Sequence, residues 1–225
     1  MLSVFLPIRK NSQRVPNKNV KNFAGVEGGL TKIKLDQLTN VSNIDEIILS
    51  TDCEIAISIA KKINSNKVFI DNRPEEFCRS DTTTDDLIEY VNTIVKKGTI
   101  LWTHVTSPFI NEKTYYNAID FFLKNKNKYD SLMSVSYLKN FFWKENKPLN
   151  YKREILKWPH TQNIEPIIEI NNGIFITEKE VYEKLNDRIG TNPYLYETNK
   201  IESFDIDWPQ DFNIAEKIYL DNVKN

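Results

Sequence analysis

The sequence predicts an α/β protein made of parallel βαβ units, on three observations. Short apolar, β-rich runs alternate along the chain with segments whose apolar residues recur at helical spacing. The runs are apolar throughout, as strands covered by helices on both faces require. Polar residues gather just after the runs, where an open parallel sheet collects its ligands.

Each element follows from local chemistry. Residues 4–8 (Val-Phe-Leu-Pro-Ile) form a first strand, and Ile47-Ile48-Leu49-Ser50 a second, entered from Asp45-Glu46. Lys67-Val68-Phe69-Ile70 is a third and residues 100–105 a fourth. Between them, Ile55, Ile59 and Ile63 with Ala56 and Ala60 line one helical face after the N-cap candidate Asp52. Leu87, Val91, Ile94 and Val95 do the same after Thr84-Asp85-Asp86, and Tyr115, Ala118, Ile119 and Phe122 after Asn111. From about residue 137 to 168 the chain is rich in Lys, Asn, Pro and aromatics with no helical period, and is predicted to be an excursion of irregular strands and loops. The alternation then returns, with a strand over 172–177, a helix over 178–186, a strand over 201–206 and a last helix over 211–222. No internal repeat or linker divides the 225 residues, so a single domain is expected.

Composition narrows the function classes. Hydrophobic residues make up 40% and charged residues 27%, which suits a globular chain. No apolar run is long enough to span a bilayer, and the N-terminus reads as a strand rather than a signal peptide, so a cytoplasmic protein with no membrane partner is expected. Cys53 and Cys78 stand outside any CxxC pattern and are read as reduced, packed thiols. Thirty basic residues against 31 acidic ones leave no general attraction for nucleic acid. The charge signal is local instead. Residues 9–21 carry Arg9, Lys10, Arg14, Lys18 and Lys21 without an acid, where average composition would place about two of each sign.

That basic segment follows the first strand and also holds Asn11, Ser12, Gln13 and Asn19, so it offers cations and amide donors to several anionic oxygens at once, as a triphosphate needs. The GxxxxGK[ST] and GxGxxG patterns are absent, which removes the main support for ATPase, kinase and dehydrogenase readings. Near the other end of the chain, Asp205 and Asp207 lie two apart in a predicted strand, with both carboxylates on one face. Magnesium suits such a pair, because it takes its remaining ligands from phosphates and water. The alternative is the polar face of an edge strand, and the phosphate cradle elsewhere in the chain favours the metal. His104 and His160 lack zinc-type spacing. His104, late in the fourth predicted strand, faces either the crevice or the core.

The string Leu6-Pro7-Ile8-Arg9-Lys10-Asn11-Ser12-Gln13-Arg14-Val15-Pro16-Asn17-Lys18-Asn19 resembles the N-terminal signature of the acylneuraminate cytidylyltransferases, the CMP-sialic acid synthetases. Ser50-Thr51-Asp52, Arg73-Pro74-Glu75 with Ser80-Asp81-Thr82, Thr106-Ser107-Pro108, Asn172-Gly173 and Asp205-Ile206-Asp207 match further blocks in the same order. The resemblance implies a Rossmann-like three-layer nucleotidyltransferase fold with a small dimerisation excursion at about 137–168. It implies transfer of CMP from CTP to an acidic sugar, with magnesium as cofactor, release of pyrophosphate and a homodimer. It also places Arg9, Asn11, Ser12, Arg14, Lys18 and Asn19 on the triphosphate, and Arg73, Ser80, Asp81 and Thr82 at the cytosine and ribose. Asp205 and Asp207 would hold the metal, with Arg9, Lys18 and Asp207 as the catalytic set. His104, Thr106, Ser107, Gln162 and Asn172 would face the acceptor.

The departures from the family pattern cluster in the acceptor half. Where the family usually has Gln-Pro-Thr-Ser-Pro-[LF]-Arg, this chain reads His104-Val105-Thr106-Ser107-Pro108-Phe109-Ile110, and His160-Thr161-Gln162-Asn163 lacks the arginine expected before Asn172-Gly173. A sialic acid is therefore expected to be a poor acceptor, with a different acidic sugar or small anionic acceptor preferred. Two rival readings are a GT-A-type glycosyltransferase, whose Asp-x-Asp follows a mid-chain strand, and a nucleotide-binding protein without catalysis.

Overall fold

The structure, a computed structural model, describes residues 1–10 and 12–224, the last three as backbone only. A seven-stranded sheet carries helices on both faces. In chain order the elements are β1 (Leu2–Ile8), α1 (Gly29–Thr39), β2 (Glu46–Thr51), α2 (Glu54–Ile63), β3 (Val68–Asn72), α3 (Thr84–Ile94), β4 (Thr99–Trp102), α4 (Glu112–Lys124), β5 (Ser131–Leu138), β6 (Trp143–Lys144), β7 (Lys147–Pro148), β8 (Ile167–Glu178), α5 (Lys179–Leu185), β9 (Pro193–Glu197) and α6 (Pro209–Lys224). Single 3₁₀ turns lie at Glu75–Phe77 and Thr161–Asn163.

The strand order is β3-β2-β1-β4-β8-β5-β9. β1 pairs in parallel with β2 on one side and β4 on the other, and its residues are buried almost throughout because both neighbours and both helical layers cover it. The chain first winds outward from β1 to β2 and β3, then returns to add β4 on the opposite edge. That reversal opens a crevice at the carboxyl ends of β1 and β4. One core cluster, with Leu6, Ile33, Ile119 and Ala215, packs α1, α2, α4 and α6 against the sheet; a second, with Phe5, Val91, Trp102, Phe175 and Tyr182, packs α3 and α5 on the other face. These are the three expected layers.

The sheet is mixed rather than parallel throughout. β8 runs antiparallel to both β4 and β5, while β5 and β9 are parallel. Strand direction depends on the route between strands and leaves no mark on an apolar run. Three elements escape the periodicity reading. α1 carries Lys34 at a fully buried position, which interrupts its apolar stripe. β5 alternates Ser with Leu, Met and Val and shifts register between Met133 and Val135, while β9 is a partly exposed edge strand that begins with a proline.

The strand expected over 201–206 is absent. Asn199 Oδ1 accepts the amides of Ile201 (2.9 Å) and Glu202 (3.0 Å), so the backbone turns there, and residues 204–207 run on without regular structure. The helix caps differ in detail. Cys53, not Asp52, occupies the N-cap of α2, and Asp52 Oδ1 instead accepts the amide of Lys10 at 2.7 Å. Thr83 and Asp86 form a reciprocal capping box on α3, and Asn111 caps α4 through the amide of Thr114, as expected.

The excursion between β5 and β8 holds the small β6–β7 hairpin. Asn150 closes its neck, donating to the carbonyls of Asn140 (2.8 Å) and Glu165 (2.9 Å) and accepting the amide of Phe142 (3.1 Å). Among the described residues no helix is long and apolar enough to cross a membrane, and both cysteines are free thiols.

Candidate active site

Ile206 is the hub of the crevice. Its side chain is buried, its amide donates to the carbonyl of Thr106 at 3.0 Å, and its carbonyl accepts a hydrogen bond from Lys18 Nζ. One residue thereby ties the loop after β4 to the basic loop after β1. On either side of it the two aspartates diverge. Asp205 accepts from Asn172 Nδ2 at 3.3 Å and from the Thr106 hydroxyl. Asp207 faces Arg14 Nη2 at 3.2 Å and Lys18 Nζ at 3.6 Å. The shared strand face expected for the pair is replaced by an irregular segment that aims the carboxylates at different partners, still close enough for Asp205 to feel the charge of Asp207.

The position of Asp207 is set from α6. Asp211, in the first turn of that helix, accepts the amides of Asp207 (3.0 Å) and Trp208 (2.7 Å), so its carboxylate satisfies donors left open at the helix N-terminus. The Arg14 guanidinium lies over the Trp208 ring, 5.1 Å from its centroid. Lys18 is 8% exposed. Burial lowers its pKa from the ordinary lysine value, against the opposing charges of Asp207 and Asp205. Burial likewise raises the Asp205 carboxyl, with Asp207 adding to the shift and the bonds from Thr106 and Asn172 opposing it.

Two adjoining hollows of about 170 Å³ each share Pro7, Arg9 and His104. One is also lined by Ser12, Lys18, Asn19 and Thr106, the other by Arg73, Phe77, Arg79, Thr82 and Leu87. Arg9 therefore stands between them, its Nη1 donating to the carbonyl of Arg79 at 2.8 Å. Ser12 works on the loop itself, donating to the carbonyl of Val15 and accepting the amide of Lys18 at 3.2 Å. Asn19 donates weakly to the Arg9 carbonyl at 3.4 Å and keeps its own Oδ1 buried without a partner at the wall of the hollow. Asn11 lies outside the described residues.

The nominated residues fare differently. Arg73 lines the second hollow, but its guanidinium is buried beneath it and donates to the carbonyls of Ile8 and Ser50 (2.7 Å), clasping the ends of β1 and β2. Thr82 reaches the hollow, whereas Ser80 and Asp81 are exposed beside it. Ser107, expected at the acceptor, is 2% exposed, and its carbonyl accepts from Lys34 Nζ at 2.8 Å, so it belongs to the support of the loop. Gln162 sits exposed on the Thr161–Asn163 turn of the excursion and lines neither hollow. Asn172 and Thr106 meet Asp205.

His104 lines both hollows and accepts the indole N–H of Trp102 on Nε2 at 2.9 Å, which leaves Nδ1 as the protonated nitrogen. Burial first, then the charges of Arg188, Lys18 and Lys34, push its pKa down to about 3. His104 is therefore neutral near pH 7, accepting on Nε2 and keeping Nδ1–H as a donor. An unfolded chain takes up a proton at an ordinary histidine pKa of about 6.5, so His104 contributes stability above that pH that is lost as pH falls toward 3. Asp205, with its raised pKa, acts in the opposite sense only nearer the carboxylate range. Urea midpoints at pH 7 and pH 5 are expected to differ less in His104→Gln than in the wild-type protein; an equal difference would show that the imidazole is not held neutral.

Lys34 and Arg188 escaped the motif reading. Lys34 reaches from α1 under the loop after β4 and donates to the carbonyls of Ser107 and Ile110 (3.2 Å) and to Tyr115 Oη (2.8 Å). The only sequence signal was a basic residue in phase with apolar ones. Arg188 lies in the loop after α5, against Trp102 and Phe175.

Comparison with known proteins matches a family model described as cytidylyltransferase over residues 4–224. The pseudaminic acid cytidylyltransferase of Campylobacter jejuni is 28% identical over 131 residues, 55% of this chain and 54% of that protein. N-acylneuraminate cytidylyltransferase A of Danio rerio is 28% identical over 233 residues, 97% of this chain and 51% of that protein. The chain thus spans about half the length of these curated relatives. Among solved structures, the CMP:2-keto-3-deoxy-manno-octonic acid synthetase complexed with CTP superposes with a TM-score of 0.70 at 14% identity, covering 98% of this chain and 99% of that one. A 4-diphosphocytidyl-2C-methyl-D-erythritol synthase of Anaerococcus prevotii gives 0.66 at 15%, with 97% and 95% covered.

Proposed function

Since this chain belongs to the cytidylyltransferase family, we propose that it transfers CMP from CTP to an acidic sugar of the nonulosonic type, or a related small anionic acceptor, and releases pyrophosphate. The observation that carries this reading is the meeting of Arg14 and Lys18 with Asp207 across Ile206 at the ends of β1 and β4. Family membership weighs against the glycosyltransferase alternative, and a GT-A metal motif would follow a mid-chain strand rather than precede the last helix.

Arg9, Arg14 and Lys18 bind the triphosphate oxygens and neutralise charge that builds on the leaving pyrophosphate. As Arg14 and Lys18 turn to the phosphates, Asp207 loses two of its partners and its carboxylate is free to accept a proton from the attacking hydroxyl. The crevice walls from Thr106 and Asn172 hold that hydroxyl in line with the α-phosphorus. Asp205 and Asp207, near enough for Asp205 to feel the charge of Asp207, would hold a magnesium ion, which needs only one or two protein carboxylates. When bound there it supplies Lewis-acid stabilisation of phosphoryl charge. His104, neutral, donates from Nδ1 toward the acceptor.

Binding to the native state alone raises stability by mass action. With magnesium, CTP is expected to raise the Tm more than ATP, GTP or UTP; equal shifts with all four would overturn the cytidine assignment.

We assign the excursion a role in a homodimer. It exposes Ile155 (77%), Trp158 (65%), Leu149 and Leu156 (55% each), a patch that a second copy would cover. Phe141 stacks edge-on with Tyr151 and Trp158, so these rings stand as one preformed surface. Light scattering at micromolar concentration is expected to give twice the chain mass, and a monomer there would exclude this role.

A further inference from the structure

Two segments meet at Asp205. Its carboxylate accepts from the Thr106 hydroxyl, in the loop after β4, and from Asn172 Nδ2, in β8, at 3.3 Å. Where the carboxylate stands therefore depends on how far apart those two segments are held. Neither is fixed there by a regular ladder. The loop has left β4, and in β8 residues 171–174 bulge opposite Ser134 alone, between the register pairs Met133–Phe175 and Val135–Ile170.

A buried chain of hydrogen bonds spans the gap. Lys34 Nζ donates to Tyr115 Oη at 2.8 Å, Tyr115 Oη lies 2.7 Å from Thr103 Oγ1, and Thr103 Oγ1 donates to the carbonyl of Gly173 at 2.7 Å. The hydrogens available set the direction of each bond. A carbonyl only accepts, so the single hydroxyl hydrogen of Thr103 goes to Gly173, and the Tyr115 hydroxyl donates to Thr103 while accepting from Lys34. The other two hydrogens of Lys34 go to the carbonyls of Ser107 (2.8 Å) and Ile110 (3.2 Å). One end of the relay thus holds the residue after Thr106, and the other holds the residue after Asn172.

Lys34, Thr103 and Tyr115 expose no surface, so water cannot take the place of any of these bonds. The Gly173 end is braced in turn. Asn171 Oδ1 accepts the Gly173 amide at 3.3 Å, Asn171 Nδ2 donates to Thr198 Oγ1 at 2.8 Å, and Ser134 Oγ accepts the Ile174 amide at 2.8 Å. A Cβ on Gly173 would stand 2.1 Å from Ile110 Cδ1, so bulge and loop also pack directly against each other.

We propose that Lys34, Tyr115 and Thr103 are positioning residues of the crevice: their relay fixes the spacing between the loop after β4 and the β8 bulge, and through Thr106 and Asn172 it sets the Asp205 carboxylate for magnesium. This rests on the cytidylyltransferase reading above and adds to it three residues that line neither hollow.

The test titrates CTP into each protein at saturating magnesium and in EDTA, and takes the ratio of the two affinities as the magnesium enhancement. Tyr115→Phe removes the central hydroxyl. Thr103→Val removes the last donor at nearly constant shape, and Thr103→Ser keeps it. Ile119→Val is a buried change in the same helix as Tyr115 but outside the relay. Tyr115→Phe and Thr103→Val are expected to lower the enhancement about tenfold, the lower end of the cost of removing a partner that orients a metal ligand. Affinity in EDTA is expected to stay within about twofold of wild type, because Arg9, Arg14 and Lys18 are carried by the loop after β1. Thr103→Ser is expected to keep the enhancement, and Ile119→Val to lower the Tm without changing it. Asn172→Ala combined with Tyr115→Phe is expected to cost less than the two separate factors multiplied, since both act on one carboxylate.

An unchanged enhancement in Tyr115→Phe and Thr103→Val would make the relay a strut of the core, overturning the proposal while leaving the cytidylyltransferase reading standing. A loss matched by Ile119→Val would do the same, because general loosening would then account for it. If Tyr115→Phe does not fold, the two Thr103 variants decide on the same criteria. Wild type that binds CTP equally with magnesium and in EDTA would overturn the metal assignment and the proposal together. Failure of the wild type to bind CTP at all would overturn the cytidylyltransferase reading with them.

Discussion

Asp207→Asn is expected to lower kcat by about a hundredfold or more while the protein still folds and still binds CTP. The side chain keeps its shape, and the backbone bonds that place it, to Asp211 and through Ile206 to Thr106, do not involve the carboxylate. What is lost is a negative charge now facing Arg14 and Lys18. Those two cations are then free of their internal competitor, so CTP without magnesium is expected to bind the variant at least as tightly as the wild type. The magnesium dependence of binding is expected to weaken. Measuring CTP affinity with and without EDTA, alongside turnover, separates these effects. Full activity at saturating magnesium would place the metal and the proton acceptor elsewhere.

Lys18→Met is expected to weaken CTP binding by roughly 2 kcal/mol, about thirtyfold in Kd, the ordinary value of a charge-assisted hydrogen bond. It also leaves the carbonyl of the buried Ile206 without its Lys18 donor, so the Tm of the unliganded protein is expected to fall as well. Lys61→Met, on the exposed face of α2, is the comparison, and neither quantity is expected to move there. Equal losses at both positions would reduce the basic loop to a solvated surface. Loss of stability with unchanged CTP affinity would make Lys18 a strut between Ile206 and Asp207 and nothing more.

Much of the site was legible in the order of residue types. The acid-free stretch from Arg9 to Lys21, the Thr106-Ser107-Pro108 turn and Asp205-Ile206-Asp207 are each contiguous in sequence; Arg9, Ser12, Lys18, Asn19 and Thr106 line one hollow of the crevice, and Ile206 ties the aspartates beside it. The strands β1 to β4 were legible for a similar reason. Central strands buried on two faces must be apolar along their length, so each announces itself within a few residues. Where burial was uneven the signal failed, as in α1 with its buried Lys34 and in the edge strand β9.

The sequence by itself determined the alternation of strand and helix, the basic loop, and the carboxylates that answer it. These are local properties, set by spacing and side-chain chemistry over a handful of residues. Only the tertiary structure decided that β8 runs antiparallel, that Asp205 and Asp207 face different partners, and that Ser107 and Arg73 brace strands and loops. It alone set Arg188 on the Trp102 and Phe175 rings. Each of these depends on contacts between residues far apart in the chain, where direction, burial and pairing are fixed by how the layers close around the sheet and not by any neighbour in sequence.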